Sequence, residues 1–170
     1  MIKRPVVDII AGLRDVFSGN VMTPTEKRLR VKQLREELSY KQIDREMIPY
    51  LVRINHFPYI ATTQSCCGHG GRGELRSGEK TRTWAHIDFR SGLTPAETID
   101  WILRPLYDKF PEENEIRVDL ALECGSLRYV VWLSNDIWRA QLDYLICLLS
   151  GIALKYERKR KETGSDGRSD

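Results

Sequence analysis

The order of the predicted helices and strands indicates an α+β fold. In the first third of the chain apolar residues recur at helical spacing, whereas strand patterns with a period of two follow and include a β-hairpin in the second half. Because strands and helices do not alternate regularly, a doubly wound Rossmann fold is not expected. The 170 residues suffice for one sizeable core. We therefore predict a single domain over 1–154, with helices packed on a mixed or antiparallel sheet, and a mobile charged tail over 155–170.

Three helices are predicted before the first strand. The apolar residues of Val6–Phe17 fall on one face at helical spacing. Thr23 followed by Pro24 combines an N-cap with proline at the first helical position, so a second helix begins there. This second helix is strongly charged, and we expect its charges to form a solvated face, with nucleic-acid contact as the alternative. A third helix is predicted over 43–55, with Pro49 expected to kink or interrupt it.

Four strands are predicted in the rest of the chain. The first two cover 57–63 and 81–89, on either side of a glycine-rich segment. The last two cover 115–124 and 127–133, and they form a hairpin about the turn at Gly125.

Two further helices flank this hairpin in the sequence. Thr94 followed by Pro95 repeats the cap-and-proline pattern and starts a helix that Pro105 is expected to bend or shorten. The last helix is predicted over 136–152, with an apolar face broad enough to be half buried.

Composition and charge indicate a protein of the cytoplasm. No stretch approaches the roughly 18 to 20 apolar residues that a membrane helix needs, so no membrane partner is expected. The beginning of the chain is basic and then apolar, as in a signal peptide, but Asp8, Arg14 and Asp15 interrupt the apolar part. A net charge of +3 permits binding to a polyanion without demanding it, so local charge is more informative.

The glycine-rich segment after the first strand has the composition of an anion-binding loop. Gly68–Gly73 formally matches the dinucleotide pattern G-x-G-x-x-G, but no amphipathic helix follows it, as that pattern requires. A Gly/Arg loop fits better, because its backbone amides can approach an anion closely. A solvated hairpin loop is the alternative. The basic side chains that would neutralise RNA phosphates are Arg72, Arg76, Lys80 and Arg82.

Two adjacent cysteines and two histidines raise the question of a metal site. Cys66, Cys67, His69 and His86 are donors to zinc in principle, but adjacent cysteines seldom both reach a tetrahedral ion. We therefore predict no metal. Cys66 is a candidate nucleophile only if His69 or His86 approaches it, and a buried structural thiol is the alternative.

One tryptophan lies beside this polar cluster. Trp84 is placed to stack on a base, whereas Trp101, Trp132 and Trp138 are expected to be mostly core residues.

The segment Asp44–His69 resembles the signature of the wybutosine-synthesising tRNA methyltransferases. In that family a helix ending in Ile-Asn leads to a strand ending in Thr-Thr-Ser-Ser-Cys-Ser-Gly-Arg. The matching residues here are Thr62, Thr63, Ser65, Cys66 and Gly68. The residues that differ are Gln64, Cys67 and His69. The order of the later strands and helices also agrees, so the resemblance extends over Ile43–Ile152, after which the family is expected to continue with another strand segment.

The resemblance implies an α+β fold and a specific reaction. The reaction is methylation, dependent on S-adenosylmethionine, of a ring nitrogen in a tricyclic guanosine of tRNA. It implies catalytic roles for Thr63, Ser65 and Cys66. It also implies contacts to cofactor or substrate by Thr62, Gly68, His69, Trp84 and His86. The alternatives are a non-enzymatic nucleic-acid-binding or interaction protein that keeps the fold, and a small zinc protein.

Overall fold

The computed structural model describes residues 21–40, 43–67, 84–111, 116–123, 126–134 and 136–165. The helices are α1 (Pro24–Ser39), α2 (Ile48–His56), α3 (Pro95–Thr98), a π-helical turn (Ile99–Leu103), α4 (Arg104–Lys109) and α5 (Trp138–Ser165). The strands are β1 (Ile60–Cys66), β2 (Ala85–Ser91), β3 (Ile116–Glu123) and β4 (Ser126–Leu133). The predicted helix over Val6–Phe17 and the turn at Gly125 lie outside the described residues.

The four strands form one antiparallel sheet in the order β1-β2-β4-β3. The predicted hairpin is confirmed, because β3 and β4 pair continuously from Glu123 opposite Ser126 to Ile116 opposite Leu133. Within the described ranges no parallel Rossmann-like sheet is present, and the predicted α+β fold is confirmed.

The core lies between one face of the sheet and the helices. Phe89 of β2 stacks on Tyr129 of β4, with ring centroids 5.3 Å apart, and both residues are 1% exposed. Tyr59 packs against Tyr156 of α5 at 4.9 Å and donates its hydroxyl to the carbonyl oxygen of Leu149. Burial of these large side chains is the main stabilising contribution to the sheet–helix packing.

Helix α1 begins as the sequence predicts. The Thr23 hydroxyl accepts from the Glu26 backbone N–H at 3.2 Å, and the Glu26 carboxylate accepts from the Thr23 N–H at 2.6 Å. This capping box satisfies two backbone donors that the helix itself cannot. The hydrogen bond from the Thr23 backbone and the nearby Arg90 guanidinium hold the pKa of Glu26 below its usual range.

The two proline predictions have different outcomes. Helix α2 starts at Ile48, so Pro49 lies in its first turn and does not kink it, because a missing N–H costs nothing there. Pro105 follows a π-helical turn in which the Arg104 N–H donates to the Ile99 carbonyl, five residues earlier. The wider turn lets the chain continue as helix to Lys109 despite the proline.

The last helix is longer than predicted. Helix α5 runs on to Ser165, so the domain boundary predicted at 154 and the beginning of the predicted tail fall inside it. Lysine, arginine and glutamate are good helix formers, which explains why a charged segment continues the helix. Lys159 ties the extension to the domain, because its Nζ lies 2.7 and 2.8 Å from the two carboxylate oxygens of Glu97. Residues 166–170 are not among those described.

None of the helices in the described part of the chain has the length and apolar character that crossing a membrane requires.

Candidate functional site

The outer edge of the sheet at β1 is closed by cationic side chains of α1. Lys27 Nζ donates to the carbonyl oxygen of Asn55 at 2.8 Å and to that of Ile60. Arg30 donates from Nε to the carbonyl oxygen of Thr62 and from Nη2 to that of Thr63, the latter at 2.7 Å. An edge strand otherwise leaves its backbone groups free to pair with another chain. Helix α1 therefore both protects the edge and lies close along it.

Backbone donors near the same edge are satisfied from α2 and from the segment before it. Asn55 Oδ1 accepts from the Thr62 N–H at 3.1 Å, and Asn55 Nδ2 donates to the Thr62 hydroxyl at 2.5 Å and to the Leu51 carbonyl at 2.9 Å. Asp44 Oδ2 accepts from the Cys67 N–H at 2.9 Å. The side chain of Asn55 thus fixes the position of Thr62.

A β-bulge interrupts β1 at Thr63. The strand pairs with β2 through Thr62 opposite Phe89 and then resumes with Gln64 opposite Asp88, which leaves Thr63 without a partner residue. A bulge re-aims the side chain of the extra residue. The Thr63 hydroxyl oxygen is buried, and among the described residues it has no hydrogen-bond partner. An unsatisfied buried hydroxyl in a native structure is uncommon, and Thr63 also lines the cleft described next.

A cleft of about 300 Å³ lies between α1 and β1. Its apolar wall consists of Leu34, Ile43 and Leu51. Its polar lining consists of Arg30, Glu37, Thr62, Thr63, Gln64, Ser65 and His86. This volume is at the lower end of the range for small-molecule sites, but the lining is more polar than is typical of them.

A bidentate ion pair forms one wall of the cleft. Arg30 Nη1 lies 2.6 Å from Glu37 Oε1, and Nη2 lies 3.0 Å from Oε2. The Arg30 side chain is 14% exposed and that of Glu37 31% exposed. Because Arg30 also binds two strand carbonyls, its guanidinium is fixed in orientation. The wall is therefore rigid and locally neutral.

His86 lies at the end of the cleft on β2. Its Cα pairs with that of Cys66 across the strands, and its ring lies 5.0 Å from that of Trp132. His86 Nε2 is 4.0 Å from Asp88 Oδ1, and Asp88 Oδ2 is 3.5 Å from Arg128 Nε. His86 thus lies between the aromatic ring of Trp132 and the carboxylate of Asp88.

The two adjacent cysteines have different surroundings. Cys66 ends β1 opposite His86, whereas Cys67 packs against the core. Burial, together with a hydrogen bond to Asp44, raises the pKa of the Cys67 thiol to about 11. A raised pKa favours the neutral thiol, which is a poor nucleophile. Among the residues described, no three His, Cys, Asp or Glu side chains come together to hold a metal ion.

The structure brings together four of the predicted site residues. Thr62, Thr63, Ser65 and His86 all line the cleft. Cys66 is the cross-strand neighbour of His86, and Trp84, half buried, lies next to the start of β2. The predicted residues that lie outside the described part of the chain are Gly68, His69, Arg72, Arg76, Lys80 and Arg82.

Sequence reasoning missed the contribution of α1. The expectation of a solvated face is correct for the exposed Arg28, Lys32 and Arg35, but wrong for Lys27 and Arg30, which bind the strand edge. One pattern pointed to this face. Arg30, Leu34 and Glu37 are spaced by four and three residues, which places all three on the same side of the helix.

Lys27 is expected to make stability depend on pH. Burial lowers the pKa of Lys27 from 10.5 to about 8, and a neutral amine still has two N–H groups for the two carbonyls that it binds. Between about pH 8 and 9.5 the unfolded chain therefore holds more protons than the folded chain, so the free energy of unfolding rises with pH. Lys27→Met should flatten this rise in urea titrations. The exposed Lys32→Met is the control, and an unchanged slope in Lys27→Met would contradict the prediction.

Comparison of the chain with protein-family models, with curated proteins and with solved structures gives no match.

Proposed function

We propose that the protein is an S-adenosylmethionine-dependent methyltransferase that acts on a modified guanosine of tRNA in the cytoplasm. One observation carries the proposal. The stretch that resembles the wybutosine-synthesising methyltransferases, Thr62–Gly68, is also the stretch whose described part supplies the β1 wall of the cleft. This overlap between the resembling stretch and the wall of the cleft is what supports the proposal.

The residues of the cleft suit methyl transfer. S-adenosylmethionine supplies an electrophilic methyl group on a sulfonium, and such a transfer mainly needs alignment of the two reactants in a site that excludes water. Leu34, Ile43 and Leu51 provide the apolar part of the wall. Thr63 and Ser65 also line the cleft, and their hydroxyls are the groups proposed to orient a base by hydrogen bonds.

The charges of the cleft fit a cationic cofactor beside a neutral base. The bidentate pair of Arg30 with Glu37 leaves no net charge on that wall, so a sulfonium meets no unpaired cation there. The Thr63 hydroxyl has no partner among the described residues and is a donor and acceptor for a bound molecule.

The double variant Thr63→Ala/Ser65→Ala should bind and turn over its substrate much less well while staying folded. These hydroxyls are assigned to the ligand rather than to the fold, so the loss of stability should stay below about 1 kcal/mol, whereas methyl transfer should fall about 100-fold or more. The assay measures labelled methyl transfer from S-adenosylmethionine to tRNA, alongside thermal unfolding. Thr25→Ala/Ser39→Ala, on exposed parts of α1, is the matched control.

Two other results of this assay would decide against the proposal. A stability loss of 2 kcal/mol or more with unchanged ligand binding would make the hydroxyls structural. Binding of tRNA without cofactor binding or methyl transfer would favour the alternative, a nucleic-acid-binding protein without enzymatic activity.

A further inference from the structure

Next to the cleft, two aromatic rings lie side by side on the face of the sheet that points away from the core. His86 of β2 and Trp132 of β4 are cross-strand partners, with ring centroids 5.0 Å apart and an interplanar angle of 47°. The alternate residues of β4, including Tyr129 and Val131, point into the core instead. His86 also lines the cleft, so the two rings extend the cleft across the sheet.

The ring of Trp132 is fixed by a hydrogen bond rather than by core packing. Its Nε1 donates to Asp119 Oδ2 at 2.7 Å, and the residue is only partly buried. A ring that is held at its polar edge and exposed on part of its surface loses little conformational entropy when it receives a stacking partner.

A guanidinium lies beside the same ring. Arg117 of β3 is the cross-strand partner of Trp132, and its side chain is 67% exposed. Its Nε lies 3.1 Å from Asp119 Oδ1 and its Nη2 lies 3.0 Å from Asp119 Oδ2, so the ion pair is bidentate. This pair uses two of the five guanidinium N–H groups, so the others can contact a phosphate while Asp119 stays in place.

We infer that His86 and Trp132 form a stacking surface for a base of single-stranded RNA, with Arg117 contacting a neighbouring phosphate. This stacking surface would place the RNA next to the proposed methyl-transfer cleft. In that one respect the inference rests on the proposed function. Aromatic side chains on a sheet face, flanked by a cation, match the general chemistry of single-strand recognition, in which bases stack on rings and phosphates pair with arginine.

Binding of a short single-stranded oligoribonucleotide, without S-adenosylmethionine and at fixed salt, tests the inference. The oligoribonucleotide should quench the tryptophan fluorescence of the wild type, and Trp132→Phe should remove most of the quenching while binding persists. Trp132→Ala should weaken binding about 5- to 150-fold. His86→Ala should also weaken it, whereas His86→Phe should restore it because the second ring is kept.

The chain offers matched controls for both contacts. Trp101 lies in the π-helical turn, and the Nζ of Lys155 is 5.4 Å from the centroid of its ring. Trp101→Phe should therefore leave RNA affinity unchanged, and RNA should quench the same fraction of the remaining tryptophan fluorescence. Arg117→Gln should reduce the slope of log affinity against log salt by about 0.7, as for one phosphate on a single strand. The control is Arg139→Gln, which removes an exposed arginine that pairs with Glu46 and should leave this slope unchanged.

These binding experiments test the stacking surface and the proposed methyltransferase activity separately. Wild-type protein that does not bind the oligoribonucleotide, or binding that is the same in Trp132→Ala and wild type, would overturn the stacking surface. Equal losses in Trp132→Phe and Trp101→Phe would also overturn it. Failure to bind S-adenosylmethionine, with RNA binding that still depends on Trp132, would overturn only the proposed methyltransferase.

Discussion

Arg30→Met is expected to lower the free energy of unfolding by about 2 to 4 kcal/mol. The substitution removes the bidentate pair with Glu37 and the hydrogen bonds to the Thr62 and Thr63 carbonyls, while the methionine stem retains most of the packing. It leaves a half-buried carboxylate without its counter-ion, and breaking such a pair costs more than the pair itself contributes. Because Arg30 also joins α1 to β1, the cleft should lose its shape at the same time.

Urea unfolding of Arg30→Met measures this loss, with Arg28→Met as the control. Arg28 is exposed on the opposite side of α1 and donates to the Thr25 hydroxyl at 3.1 Å, so its replacement should change stability by no more than about 0.5 kcal/mol. Equal effects of the two substitutions would mean that the Arg30 contacts contribute nothing beyond an ordinary surface arginine.

Asn55→Ala is expected to lower the free energy of unfolding by about 2 to 4 kcal/mol. The N–H of Thr62 loses its acceptor and the Thr62 hydroxyl loses its donor, and Thr62 is 1% exposed, so water does not readily replace either. Each buried group left unsatisfied costs about 1 to 3 kcal/mol. Ligand binding in the cleft should weaken as well, since Asn55 positions Thr62.

The control for Asn55→Ala is Gln33→Ala, an exposed amide on α1. Thermal unfolding should show Asn55→Ala melting about 4 to 16 °C below Gln33→Ala, from the usual 2 to 4 °C per kcal/mol for a chain of this size. Melting temperatures within 2 °C of each other would show that β1 does not depend on Asn55.

Local patterns predicted the hairpin and the two helix starts that are capped by Thr23 and Thr94, because neighbouring residues determine them, whereas α2 begins at Ile48 and not at the predicted residue 43. The capping box of Thr23 with Glu26 recurs at Thr94 with Glu97, and each needs only residues three apart in sequence. The hairpin of β3 with β4 likewise depends on period-two patterning and a short connection.

Contacts between distant residues explain what the sequence did not predict. The bulge at Thr63 depends on the pairing of β1 with β2, which are separated by the glycine-rich segment in the sequence. The helical continuation from 155 to 165 depends in part on the pairing of Lys159 with Glu97, which are 62 residues apart. No local pattern encodes such partners.

The candidate site likewise has a part that the sequence predicted and a part that it did not. Its β1 wall, with Thr62, Thr63 and Ser65, is a continuous stretch, and the resemblance marked it directly. Arg30, from α1, reaches the site only through packing, and a charged helix gives little indication of which of its charges are buried.

The central claim is that the strand-edge cleft carries out methyl transfer, and the wild-type arm of the methyl-transfer assay tests it most directly. Purified protein is incubated with labelled S-adenosylmethionine and tRNA that bears the unmethylated tricyclic guanosine, and tRNA with an ordinary guanosine at that position is the control. The proposal predicts label in the first tRNA only, and none when Thr63 and Ser65 are both alanine. No label in either tRNA, with no binding of S-adenosylmethionine by calorimetry, would contradict it.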